Sequence, residues 1–123
     1  VVGGLIVAYS VVNVYWPPMH MRGIEPSLTD TLHIVWAMVA VIFMIVMMGF
    51  GAAAFEEQFR LYTIASIALL VGLGFLTSLD APKIPENLPT PWLGVWERIM
   101  IGVFLLWVAV LAVILLRKEK AVV

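Results

Sequence analysis

The chain has 123 residues, of which 63% are hydrophobic and 12% charged, with a formal net charge of -1, and its mean hydropathy is +1.08. A soluble domain of that length needs far more charge to cover its surface, so an ordinary soluble fold is excluded and the solvent implied is hydrocarbon. Seven basic side chains against eight acidic ones leave no basic field for nucleic acid, and the absence of cysteine excludes disulfides, thiolate nucleophiles and Cys-ligated metal or iron–sulfur sites.

The first apolar run, residues 1–16, carries no initiator Met and no signal-peptide pattern. It is short against the roughly 20 helical residues that cross a bilayer, so it reads as a span truncated at its N-terminus, with further spans upstream. Pro17 and Pro18 end it. Ser27 and Asp30 stand at capping-box spacing ahead of a second apolar run, residues 31–55. The connector 56–60 is a tight hairpin in which Glu56 and Arg60 pair at helical spacing. A third run covers 61–79, a proline-containing connector covers 80–98, and a fourth run covers 99–116, opened by Glu97 and Arg98.

These runs are too long and too continuous for the alternating strands of a membrane barrel, which leaves the helix as the way to satisfy backbone polar groups in lipid. The expected fold is all-α: a polytopic transmembrane helix bundle with four spans, forming one domain over residues 1–123. Alternation puts the two long connectors on one side and the hairpin and tail on the other. Arg60, Arg117, Lys118 and Lys120 then face Arg22, Lys83 and Arg98, an excess of one base that places the tail in the cytoplasm of a multi-pass cell-membrane protein. Trp16, Trp92 and Trp96 mark the opposite boundary as an aromatic belt. Gly4 with Ala8, Gly49 with Ala53, and Ala68 with Gly72 are small-residue pairs of the kind that lets helices approach closely.

His33 lies about one turn inside the second run, where an ionisable side chain faces protein or water. Asp30 shares its helix face and is placed to accept from the ring. The blander outcome is an interfacial histidine bonded to a connector. His33, Asp30, Glu97 and Arg98 all fall at the non-cytoplasmic helix ends and make the expected ligand-binding site. His20 with His33 is the alternative, as metal or haem ligands. Met19, His20 and Met21, followed by Met44, Met47 and Met48 on one helix face, raise Cu(I), although a methionine stripe is more often packing filler. No cofactor is predicted. The nucleophile elbow, His-Glu-Xaa-Xaa-His and phosphate-loop signatures are all missing from the sequence.

Thr29-Asp30-Thr31-Leu32-His33, Gly51-Ala52-Ala53-Ala54-Phe55, Phe59-Arg60-Leu61-Tyr62-Thr63 and the stretch from Thr90 to Arg98 resemble the prokaryotic integral membrane family of domain of unknown function nine-nine-eight. Members usually have about six spans, so the resemblance implies that these four helices are the C-terminal portion of a six-span bundle, and it implies no settled activity. The leading functional expectation is a non-enzymatic membrane protein that binds a small ligand, lipid or ion at the polar helix ends. The rivals are a membrane redox or metal/haem protein using His20 and His33, and an accessory subunit packed on a membrane partner or on a second copy.

Overall fold

The structure is a computed structural model and describes residues 1–20 and 22–122; Met21, one of the copper candidates, lies outside the described residues. Four helices follow in order: α1 (Val2–Val12), α2 (Leu28–Ala54), α3 (Glu57–Asp80) and α4 (Leu93–Val122), with a short 3-10 turn, Ala81–Lys83, after α3. No strand occurs among the described residues. α2, α3 and α4 are long and apolar enough to cross a membrane. α1 is not: its 11 residues rise only about 16 Å.

Of the four spans expected, three are shown by length and composition, and α1 ends earlier than the run 1–16 suggests. The helix gives out at Val12, before Pro17, because Asn13 turns back on it, its backbone N–H and its side-chain amide both donating to the Tyr9 carbonyl at 3.0 and 2.8 Å. Beyond Val14, whose N–H still donates to the Val11 carbonyl at 3.3 Å, the connector is held by α2 through Pro17 and His20. α2 starts earlier than the apolar run suggests, at Leu28, because Ser27 and Asp30 form the complete capping box. α4 likewise begins at Leu93, so Glu97 and Arg98 lie about one turn inside it rather than opening it.

At the hairpin the expected Glu56–Arg60 pair does not form. The Arg60 Nε donates to the Ala52 carbonyl at 3.3 Å, one of the orphan acceptors at the C-terminus of α2. Glu56 instead meets Lys118 of α4 at 3.4 Å, and the Lys118 ammonium sits 5.3 Å from the Phe55 ring centroid.

α3 packs on α4 and on α2, and α1 lies against α2 while reaching α4 through Tyr9, whose ring centroid is 5.1 Å from that of Phe104. The core runs through Met44, Met47 and Met48 of α2, Leu70 of α3, and Phe104 and Trp107 of α4. The methionine stripe packs in this core. Lipid is as apolar as these side chains, so burial alone does not hold the helices together; close packing and interhelical hydrogen bonds do.

Trp107 supplies both. Its ring is fully buried, its Nε1–H donates to Thr63 Oγ1 at 2.9 Å, and its edge fills the space where a side chain on Gly51 would be. The close approach is thus at Gly51, and not at the three small-residue pairs. Gly4, Gly49 and Gly72 each face open space, and Ala53 and Ala68 are exposed. Only 28, 17 and 22% of the apolar windows of α2, α3 and α4 are buried, which leaves most of each flank to lipid or to further protein.

Candidate functional site at the connector end

Three side chains on α2 at three-residue spacing, Asp30, His33 and Trp36, reach the α1–α2 connector. Asp30 Oδ1 accepts from the His20 backbone N–H at 2.6 Å, the His33 ring meets the Pro17 carbonyl at 2.7 Å, and the Trp36 Nε1–H donates to the Val12 carbonyl at 2.8 Å. Positions 20, 17 and 12 are met in that order as α2 proceeds, so the connector runs antiparallel along the first turns of α2. Three residues is close to one helical turn, and that is why the contacts fall on one face.

Asp30 is 1% exposed, and both its oxygens are engaged. Oδ2 accepts from the Ser27 N–H at 2.8 Å and from the Ser27 hydroxyl at 2.6 Å, while Oδ1 holds His20. A buried carboxylate is tolerable only when so satisfied. The His33 bond runs through Nδ1, and a carbonyl can only accept, so the ring proton is on Nδ1 and the neutral imidazole keeps its lone pair on Nε2. Trp16 packs edge-on against it, with centroids 5.5 Å apart. The sequence spacing suggests that Asp30 orients the His33 ring; in the structure both side chains bond to the connector backbone instead.

The far end of the same connector is fastened to the α3–α4 connector. Arg22 donates through Nη1 to the Leu88 carbonyl at 2.9 Å and through Nη2 to Thr90 Oγ1 at 2.5 Å. The Gly23 N–H donates to the Ile84 carbonyl at 3.3 Å. Gly23 has φ +71°, and a Cβ there would stand 3.0 Å from the Asn87 Cβ; only glycine takes this left-handed turn at so close an approach without strain. Beneath the junction Asp80 is buried and paired with Lys83 at 2.5 Å.

Arg98 turns back along its own helix, Nη1 donating to the Gly94 carbonyl at 2.8 Å. Two guanidinium groups, one from each side, therefore rest on the short stretch 88–94, and the exposed Trp92 lies between their anchor points. Each is bonded only to neutral acceptors and is exposed. Glu25, Glu86 and Glu97 are exposed at the same end.

Of the residues read as a site from sequence, Asp30 and His33 come together along one connector, and Glu97 and Arg98 lie apart from them on α4. Among the described residues no hydrogen bond or ion pair joins the two groups. His20 is exposed and engages Asp30 through its backbone, not its ring. No three His, Cys, Asp or Glu residues cluster to hold a metal among the described residues. Sequence reasoning missed Arg22, Thr90 and Trp36 as partners; a basic residue beside a glycine in a proline-rich connector is the one local hint of a clasp.

The family model for protein of unknown function DUF998 matches residues 1–114, and the chain belongs to that family. No curated protein and no solved structure matches it.

Proposed function

We propose that this member of the DUF998 family is a non-enzymatic, membrane-embedded binding protein that holds the phosphate of a zwitterionic lipid headgroup at its connector end. The observation that carries this reading is the pair of exposed guanidiniums, Arg22 and Arg98, both resting on neutral acceptors of the stretch 88–94. Lys83, the third base at that end, is committed to Asp80. A phosphate offers each arginine charge-assisted bonds about twice as strong as those it has, and Trp92 supplies the amphipathic ring that sits at headgroup level. Glu97, exposed next to Arg98 in sequence, complements an ammonium on the same headgroup. Asp30 and His33 are positioning residues that fix the connector carrying Arg22.

Native mass spectrometry in maltoside detergent, which contains no phosphate, tests this. Wild-type protein retains added phosphatidylethanolamine, and Arg98→Gln weakens retention by about tenfold, the loss expected for one charged hydrogen-bonding group. Equal retention by both forms removes the site. The excess of bases around Arg117 to Lys120 supports a tail on the cytoplasmic side of the cell membrane. Because the chain has no cysteine, single substitutions report orientation: in intact cells an impermeant maleimide labels Glu86→Cys, and it labels Ala121→Cys only after permeabilisation. The reverse pattern inverts the topology.

A further inference from the structure

The connector between α1 and α2 is held very differently at its two ends. Towards α2 its partners are a buried carboxylate and two half-buried rings, Asp30, His33 and Trp36. Towards the α3–α4 connector its partners are the exposed Arg22 bonds to Leu88 and Thr90 and the 3.3 Å bond from Gly23 to Ile84. Between these fastenings the described residues form no helix or strand, and residues 14–16, 18, 20 and 22–24 are exposed. Exposed hydrogen bonds open at the lowest free energy in a structure.

We propose that this segment is a hinged strap: it pivots on Asp30, His33 and Trp36, and the Arg22 clasp opens when a phosphate group takes the guanidinium away from Leu88 and Thr90. The inference rests on the headgroup-binding reading and adds a conformational consequence to it. The clasp is suited to this, because its acceptors are a neutral carbonyl and a neutral hydroxyl, and an anion outcompetes both for the same donors. Once Arg22 lets go, the Gly23–Ile84 bond is the one hydrogen bond left across the junction among the described residues. Ile84, whose carbonyl accepts that bond, is buried. The cost of opening is offset by the new phosphate bonds.

Amide hydrogen exchange at residue resolution, on the whole chain in maltoside, reads the strap directly. Adding phosphatidylethanolamine speeds exchange at the Gly23 amide by about tenfold while the His20 amide, held by Asp30, stays protected. Arg22→Gln gives the fast Gly23 exchange without lipid and abolishes the response to it. Inorganic phosphate serves as the second probe: release by phosphate as well as by lipid assigns the site to the free anion, and release by lipid alone assigns it to the headgroup. If Gly23 does not respond in protein that retains lipid by mass spectrometry, the strap is overturned and headgroup binding stands. If His20 and Gly23 are released together, there is no pivot and the hinge is overturned. Protein that retains no phosphate compound overturns headgroup binding itself, and anion-driven release with it.

Discussion

Truncating Trp107 to alanine will lower the stability of the bundle by about 3–5 kcal/mol, the range for removing a fully buried large aromatic side chain. The indole has no exposed surface and touches all three long helices. It is on α4, its N–H donates to Thr63 of α3 at 2.9 Å, and its ring edge occupies the space beside Gly51 of α2. Its centroid is 5.8 Å from that of Phe59 and 6.3 Å from that of Phe104, so its loss also unpairs an aromatic cluster. The Thr63 hydroxyl, fully buried, loses its donor in the same change.

Gly51→Ala gives a second result on the same contact. The new Cβ would stand 2.5 Å from Trp107 Cζ2, and a ring pinned by Thr63, stacked on Phe104 and tilted against Phe59 has nowhere to go. Overpacking of this kind costs about 1–3 kcal/mol and outweighs the ~1 kcal/mol that alanine gains over glycine in a helix. In the Trp107→Ala background the clash is absent, so Gly51→Ala turns neutral or stabilising there. Thermal unfolding in detergent of the two single variants and the double variant measures this as a coupling energy. Costs that simply add would mean that Gly51 and Trp107 do not touch.

The three long helices were legible because their signal is one of length and continuity, and the capping box was legible because Ser27 and Asp30 are three residues apart. The end of α1 was not legible, for the opposite reason. Its apolar residues continue past Val12, but Asn13, together with the donors His33 and Trp36 on α2, takes over the backbone there, and the bonds to α2 span 16 and 24 residues. The Glu56–Arg60 pair failed although its spacing was right. Each partner found a better use, Arg60 on an orphan helix carbonyl and Glu56 on a lysine from the far end of the chain. Topology alone placed Asp30, His33, Glu97 and Arg98 at one end of the bundle. The bonds of Arg22 span 66 and 68 residues, so the sequence names no partner for it, and without them Arg22 and Arg98 could not be read as resting on one stretch of chain.

Asp30→Ala will cost about 2–4 kcal/mol and will release the strap from its pivot. Two contributions add up. Losing a side-chain cap at a helix N-terminus costs about 1 kcal/mol, and here the capping box is reciprocal, so the Ser27 N–H is stranded as well. The His20 N–H, donated to Oδ1 at 2.6 Å, is the second orphan, and a charge-assisted bond of this type is worth about 1.5–3 kcal/mol. The damage is graded in space. His33 still holds the Pro17 carbonyl and Trp36 still holds the Val12 carbonyl, so exchange rises at His20, at Gly23 and over the first turn of α2, while the Asn13 and Val14 amides keep their protection. Asp30→Asn separates the electrostatic part from the steric one, because an amide keeps one oxygen to accept from His20 or from Ser27 but turns its NH2 towards the other N–H. It therefore recovers only part of the loss. An Asp30→Asn variant as stable as wild type would show that a single oxygen suffices, and the carboxylate could then not be what joins the start of α2 to the strap.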